Sequence, residues 1–149
     1  MEFYIVFSRS RLRVSNIHQK QYLALFLFCC NLSVSCIRKV SIKLFSNSIW
    51  PYRPCDAYDC NYLCNNGRCN NNPGFPSGHV VFATTLAYML YNTRQCSLIE
   101  ALIFCSIFAY TRYVKKCHTI QQVLAGVVLG VLYGKLYFLI KLHKVEKKV

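Results

Sequence analysis

From residue 119 to residue 140 the chain is apolar almost without interruption, and Lys135 is its one charge. A bilayer core about 30 Å thick takes about 20 such residues in a helix. This stretch is therefore long enough to cross a membrane alone, and it sets what the rest of the chain must pack against. Gly126, Gly130 and Gly134 recur within it every four residues. Such a stripe of small residues lets another helix approach closely, and we read it as packing inside one chain rather than as a dimer face.

Other apolar runs follow the same logic. Residues 3–7 are a short one, followed by Arg9, Arg11, Arg13 and Lys20, so residues 1–20 read as a basic flank. Residues 22–37 read as the first full membrane helix. A rival reading makes this region a cleaved signal peptide, with Ser33 and Ser35 before Cys36, although its apolar core starts late for one. Two shorter helices are predicted over 77–91 and 98–114, joined at Asn92-Thr93-Arg94-Gln95. Glu100, near the start of the second, suits the helix dipole. A basic tail, 141–149, carries Lys141, Lys144, Lys147 and Lys148. Cytoplasmic flanks are enriched in lysine and arginine, so the tail, Arg94 and the N-terminal flank fall on the cytoplasmic side. The loops holding Arg53, His79, Arg112 and His118 then share the opposite face. Lys115 and Lys116 run against the rule there, and a phosphate site would account for them.

Composition limits the partners. At 149 residues, one domain is expected. The formal charge is +13 with five carboxylates, which favours anionic partners. The basic residues flank apolar runs instead of forming one stripe, which argues against nucleic acid. So few carboxylates also argue against a magnesium or calcium cage, since such cages need converging oxygens.

Residues 55–72 are a polar, turn-rich loop holding Cys55, Cys60, Cys64 and Cys69 among several asparagines. The cysteine spacings lack the two-residue knuckle usual at zinc. Disulfides are the preferred reading, in one of three pairings, and they require an oxidising compartment.

Three short motifs carry the chemistry. In Pro76-Ser77-Gly78-His79, Ser77 is the expected N-cap of the following helix. The free N–H groups and dipole of a helix start suit a phosphate, and His79 sits beside it. Downstream lie Thr111-Arg112, His118 and Gln122, and upstream lies Arg53-Pro54. In this order they resemble the signature motifs of the type 2 phosphatidic acid phosphatase superfamily: Lys-x6-Arg-Pro, Pro-Ser-Gly-His and Ser-Arg-x5-His-x3-Asp. The resemblance spans about residues 40 to 140. The variant His118-Thr119-Ile120-Gln121-Gln122-Val123 is similar to the dolichyl diphosphatase branch. The chain departs at the first motif, where Ser46 stands in place of the lysine. Lys43 lies three residues earlier, on the same helical face, and is the expected substitute for phosphate binding; Lys39 is next.

The resemblance implies an all-α integral membrane bundle with the phosphatidic acid phosphatase type 2/haloperoxidase-like core. About four membrane helices, five at most, are expected, abbreviated at the N-terminus relative to the usual six. It implies His118 as nucleophile, His79 as acid for the leaving group, and Arg53 and Arg112 as phosphate clamps. Ser77 and the Gly78 N–H complete the cradle, and Gln122 orients His118 in place of the aspartate. No metal and no cofactor is implied. The expected activity is hydrolysis of a lipid phosphate or polyprenyl diphosphate, at the lumenal face of the endoplasmic reticulum or another endomembrane. A broader monophosphatase acting on phosphatidate-like lipids is the second enzyme reading. The alternative from another class is a catalytically silent membrane module that binds phosphorylated headgroups.

Overall fold

The computed structural model of the protein describes residues 17–60, 67–69 and 71–146. Among them are four helices: α1 (Ile17–Leu44), α2 (Gly78–Asn92), α3 (Leu98–Val114) and α4 (Ile120–Glu146). Two isolated bridges, Tyr52 with Pro73 and Tyr58 with Arg68, brace the loop between α1 and α2. About four membrane helices were expected; four helices stand among the described residues, but only two of them are long and apolar enough to cross a membrane, and the run 3–7 lies outside the described residues.

Residues 21–44 of α1 and 120–141 of α4 are long and apolar enough to cross a membrane, which is consistent with membrane association. At 15 and 17 residues, α2 and α3 are shorter. The first helix was expected to end near Ile37 but continues to Leu44. Arginine and lysine are good helix formers, so the basic stretch does not break it. Ser41 turns inward, buried, and its Oγ donates to the Arg38 carbonyl at 2.9 Å.

Helix α2 is the centre. It packs chiefly on α4, then on α3, and lightly on α1. Its buried residues are mostly small or β-branched: Val80, Val81, Ala83, Thr84, Thr85 and Ala87. The glycine stripe of α4 receives it. A Cβ on Gly126 would meet the Ser77 carbonyl at 2.9 Å, and one on Gly130 the Val81 carbonyl at 2.8 Å. Gly134 lies against the Tyr88 ring. Thr85 Oγ1 donates to the Gly130 carbonyl at 3.2 Å across this seam. The stripe thus packs within the chain.

Helix α3 begins with a capping box: Ser97 Oγ accepts from the Glu100 N–H, and the Glu100 carboxylate accepts from the Ser97 N–H. Its apolar residues Leu98, Ile99, Leu102, Ile103 and Ile107 are exposed.

The cysteine loop differs from expectation. Cys60 pairs with Cys117, between α3 and α4, and not with a cysteine of its own loop. Cys55 is free and exposed, and Cys69 is free and buried; Cys64 lies outside the described residues. Cys60, Cys69, Cys117 and Ala57 share one buried cluster. The long-range pair wins because the loop folds back on the α3–α4 turn, bringing together residues 57 positions apart in sequence. Lys116 bonds the Asp56 carboxylate at 2.8 Å on the same surface, so it is engaged with the loop. Exposed pairs of this kind contribute little stability.

Candidate active site

The end of α1, the starts of α2 and α4, the end of α3 and the loop after α1 meet at one end of the bundle. Arg53 is buried in that loop, its backbone N–H donating to the Asn72 carbonyl at 3.2 Å. The Pro51 carbonyl accepts the Gly74 N–H at 2.8 Å, which folds the approach to α2 back over it.

Ser77 is the N-cap residue of α2, as its sequence predicts, with extended backbone. Its carbonyl accepts the Val81 N–H at 2.9 Å. Its hydroxyl makes no capping bond. Among the described residues the buried Ser77 Oγ has no hydrogen-bond partner, and neither have Arg53 Nε and Nη1 or His118 Nε2. Buried donors and acceptors are nearly always satisfied, so four such atoms at one end of the bundle mark a place for a polar ligand. The Ser77 N–H donates to the Gln122 carbonyl at 3.0 Å and ties the two helix starts together. His79 is buried in the first turn of α2.

Gln122 joins three segments. Its Nε2 donates to the Trp50 carbonyl at 3.1 Å and the Tyr52 carbonyl at 2.7 Å. Those two bonds use both amide hydrogens and fix which way the amide points. Its Oε1 therefore faces the Thr119 N–H at 3.3 Å and His118 Nδ1 at 3.2 Å. An acceptor there requires Nδ1 to carry the ring proton. His118 Nε2 is left with its lone pair, in the form a nucleophile needs.

Charge reinforces this. Burial first, then the Arg53 guanidinium, pushes the pKa of His118 down to about 3. The ring is neutral at physiological pH. Burial, then Arg38, lowers Arg53 to about 10, which leaves it charged. His79, outside both candidate spans, is lowered to about 4 by burial and then by Arg112, Arg38 and Arg53. Among the described residues, no carboxylate is among the charges acting on these three groups.

Arg112 Nη1 donates to the Cys60 carbonyl at 3.2 Å, at the edge of the disulfide. Its neighbour Thr111 is exposed and bonds back to the Phe108 carbonyl at 2.9 Å.

The structure thus gathers Arg53, Ser77, Gly78, His79, Arg112, His118 and Gln122. Lys43 is not among them: it is exposed in the last turn of α1, as Lys39 is one turn earlier. Helix α1 stops at Leu44, so Ser46 lies in the following turn, and the helical register linking it to Lys43 does not hold. The α1 cation that reaches the site is Arg38, whose Nε and Nη2 donate to the Pro76 carbonyl at 3.2 and 3.1 Å. Its sequence signal is an arginine inside an apolar span, an arrangement that is costly without a partner.

No curated protein and no solved structure matches the chain. A family model described as the PAP2 superfamily matches residues 21–146, a span that takes in every residue of the site. Motif order, site geometry and that match converge, and the chain belongs to the PAP2 superfamily.

Proposed function

We propose that the protein is a membrane phosphatase that cleaves a lipid phosphate or polyprenyl diphosphate through a phosphohistidine. Members of its family are generally phosphatases acting on phosphate esters. The observation that carries the finer reading is the tautomer of His118, set by Gln122, with Nε2 unprotonated beside Arg53.

His118 Nε2 attacks phosphorus as the bond to the leaving oxygen breaks, and protonated His79 gives that oxygen its proton. Burial first, then the guanidinium charges, hold His79 neutral; a phosphate dianion offsets those charges and so raises its pKa. Water then attacks the phosphohistidine, the P–N bond breaks, and the water's proton passes to His79. Arg53, Arg112, Ser77 and the first-turn N–H groups of α2 hold the phosphoryl oxygens as charge builds. The steps need no metal ion. The dolichyl-like glutamine favours a polyprenyl diphosphate over phosphatidate.

In this reading the protein is multi-pass in an endomembrane, and the site lies on the lumenal face. The Cys60–Cys117 pair beside the site and the lysines of the opposite flank support that orientation.

The test is phosphate release from a polyprenyl diphosphate by detergent-purified protein in EDTA, beside His118→Ala and with phosphatidate for comparison. Release by the parent and none by the variant is expected. No release from either lipid by folded parent protein overturns the enzyme reading and leaves a headgroup-binding module.

A further inference from the structure

The first motif lacks its lysine, and Lys43 and Lys39 are exposed. We infer that Arg38, on α1, supplies the missing cation and holds a phosphate group directly, as a third guanidinium beside Arg53 and Arg112. This rests on the phosphate-site reading above.

Arg38 is half-buried, with its guanidinium folded over the entry to α2. Nε and Nη2 share the Pro76 carbonyl, one residue before the N-cap. Nη2 also lies 2.8 Å from where a Cβ on Gly78 would stand. Glycine at 78 is what lets the cation approach the helix start so closely. The first-turn N–H groups there have no intrahelical acceptor, so cation and helix start address the same anion. The Arg38 charge acts on Arg53, His79 and His118, the groups that define the site.

Three guanidinium groups close together repel one another. Among the described residues, no carboxylate is among the charges acting on Arg53, His79 and His118, and a ligand with several anionic oxygens is the chemistry that offsets the repulsion. A phosphate dianion or a diphosphate fits; a neutral headgroup does not. Guanidinium forks also suit phosphate oxygens better than a lysine point charge.

The experiment measures binding of inorganic diphosphate to the detergent-purified full chain. Parent protein is compared with Arg38→Gln, Arg38→Lys and Lys43→Ala. Glutamine keeps an N–H for the Pro76 carbonyl and removes the charge. The expected loss for Arg38→Gln is about 10- to 100-fold, as for a charged hydrogen bond left unmade, with Arg38→Lys between it and the parent. An equal fold-loss with a polyprenyl diphosphate places Arg38 on the phosphates; loss confined to the lipid overturns the assignment. Parent-like binding by folded Arg38→Gln, or loss on Lys43→Ala alone, also overturns it. If Arg38→Gln does not fold, phenylglyoxal labelling of the parent decides. Protection of Arg38 by diphosphate, read by peptide mass spectrometry, supports the assignment, and no protection overturns it. Phosphate release on the same samples separates the two readings. Binding without turnover removes the enzyme and leaves Arg38 in place; a parent that binds no diphosphate removes both.

Discussion

Gln122 is a neutral amide where the family pattern has an aspartate, and its bonds explain why an amide serves. An aspartate can accept from His118 and Thr119, but it has no N–H for the Trp50 and Tyr52 carbonyls. A carboxylate in that place sets a buried negative oxygen against two carbonyl oxygens. Gln122→Glu is therefore expected to cost about 1–3 kcal/mol of stability, read as a lower thermal midpoint in detergent. It also frees the loop that carries Arg53, so diphosphate affinity falls with it. A variant as stable as the parent, with unchanged affinity, would show that the two carbonyl bonds do not hold the loop. The residue types at the site were legible in the sequence: Arg53, Ser77, His79, Arg112, His118 and Gln122 all stand in short motifs. The carbonyl partners were not legible, because any residue has a carbonyl and only folding selects Trp50 and Tyr52.

At the scale of elements, the seam between α2 and α4 fixes the relative height of the two helix starts, and so the distance from Ser77 to His118. That seam depends on Gly130. An added methyl there would stand 2.6 Å from Thr84 Cβ and 2.8 Å from the Val81 carbonyl. Backbone cannot turn aside as a side chain can, so the helices must separate. Gly130→Ala is expected to cost about 1–3 kcal/mol despite the better helix propensity of alanine. Thermal unfolding measures it, and a midpoint at or above the parent's would contradict the packing described here. The boundaries of α3 were readable from 98–114, because its ends are set locally by the Ser97–Glu100 box and the turn after Val114. The end of α1 was not. Local propensity allows the helix to run past Ile37, but the contacts that favour the extension, Arg38 on the Pro76 carbonyl and the burial of Ser41, exist only in the folded chain.

For the whole molecule, the Cys60–Cys117 pair closes the site's outer wall. It holds the cysteine loop against the residue that precedes His118, and the Arg112 guanidinium bonds the Cys60 carbonyl there. Loss of such a bridge costs about 2–5 kcal/mol. A Cys60→Ser, Cys117→Ser double variant should unfold earlier than the parent in thermal scans and lose the parent's sensitivity to reductant. Parent-like stability with retained sensitivity would point to a different bridge.

Sequence alone determined the apolar spans, the helix starts at Ser77 and Leu98, and the order of the charged residues, because each depends on a few neighbouring side chains. The tertiary structure decided which cation of α1 meets the site, which cysteine pairs with Cys60, and which proton His118 carries. Those outcomes join segments that lie 38, 57 and 70 or more positions apart. No local pattern encodes them; they follow from which surfaces α2 and α4 bring together when they close over the glycine stripe.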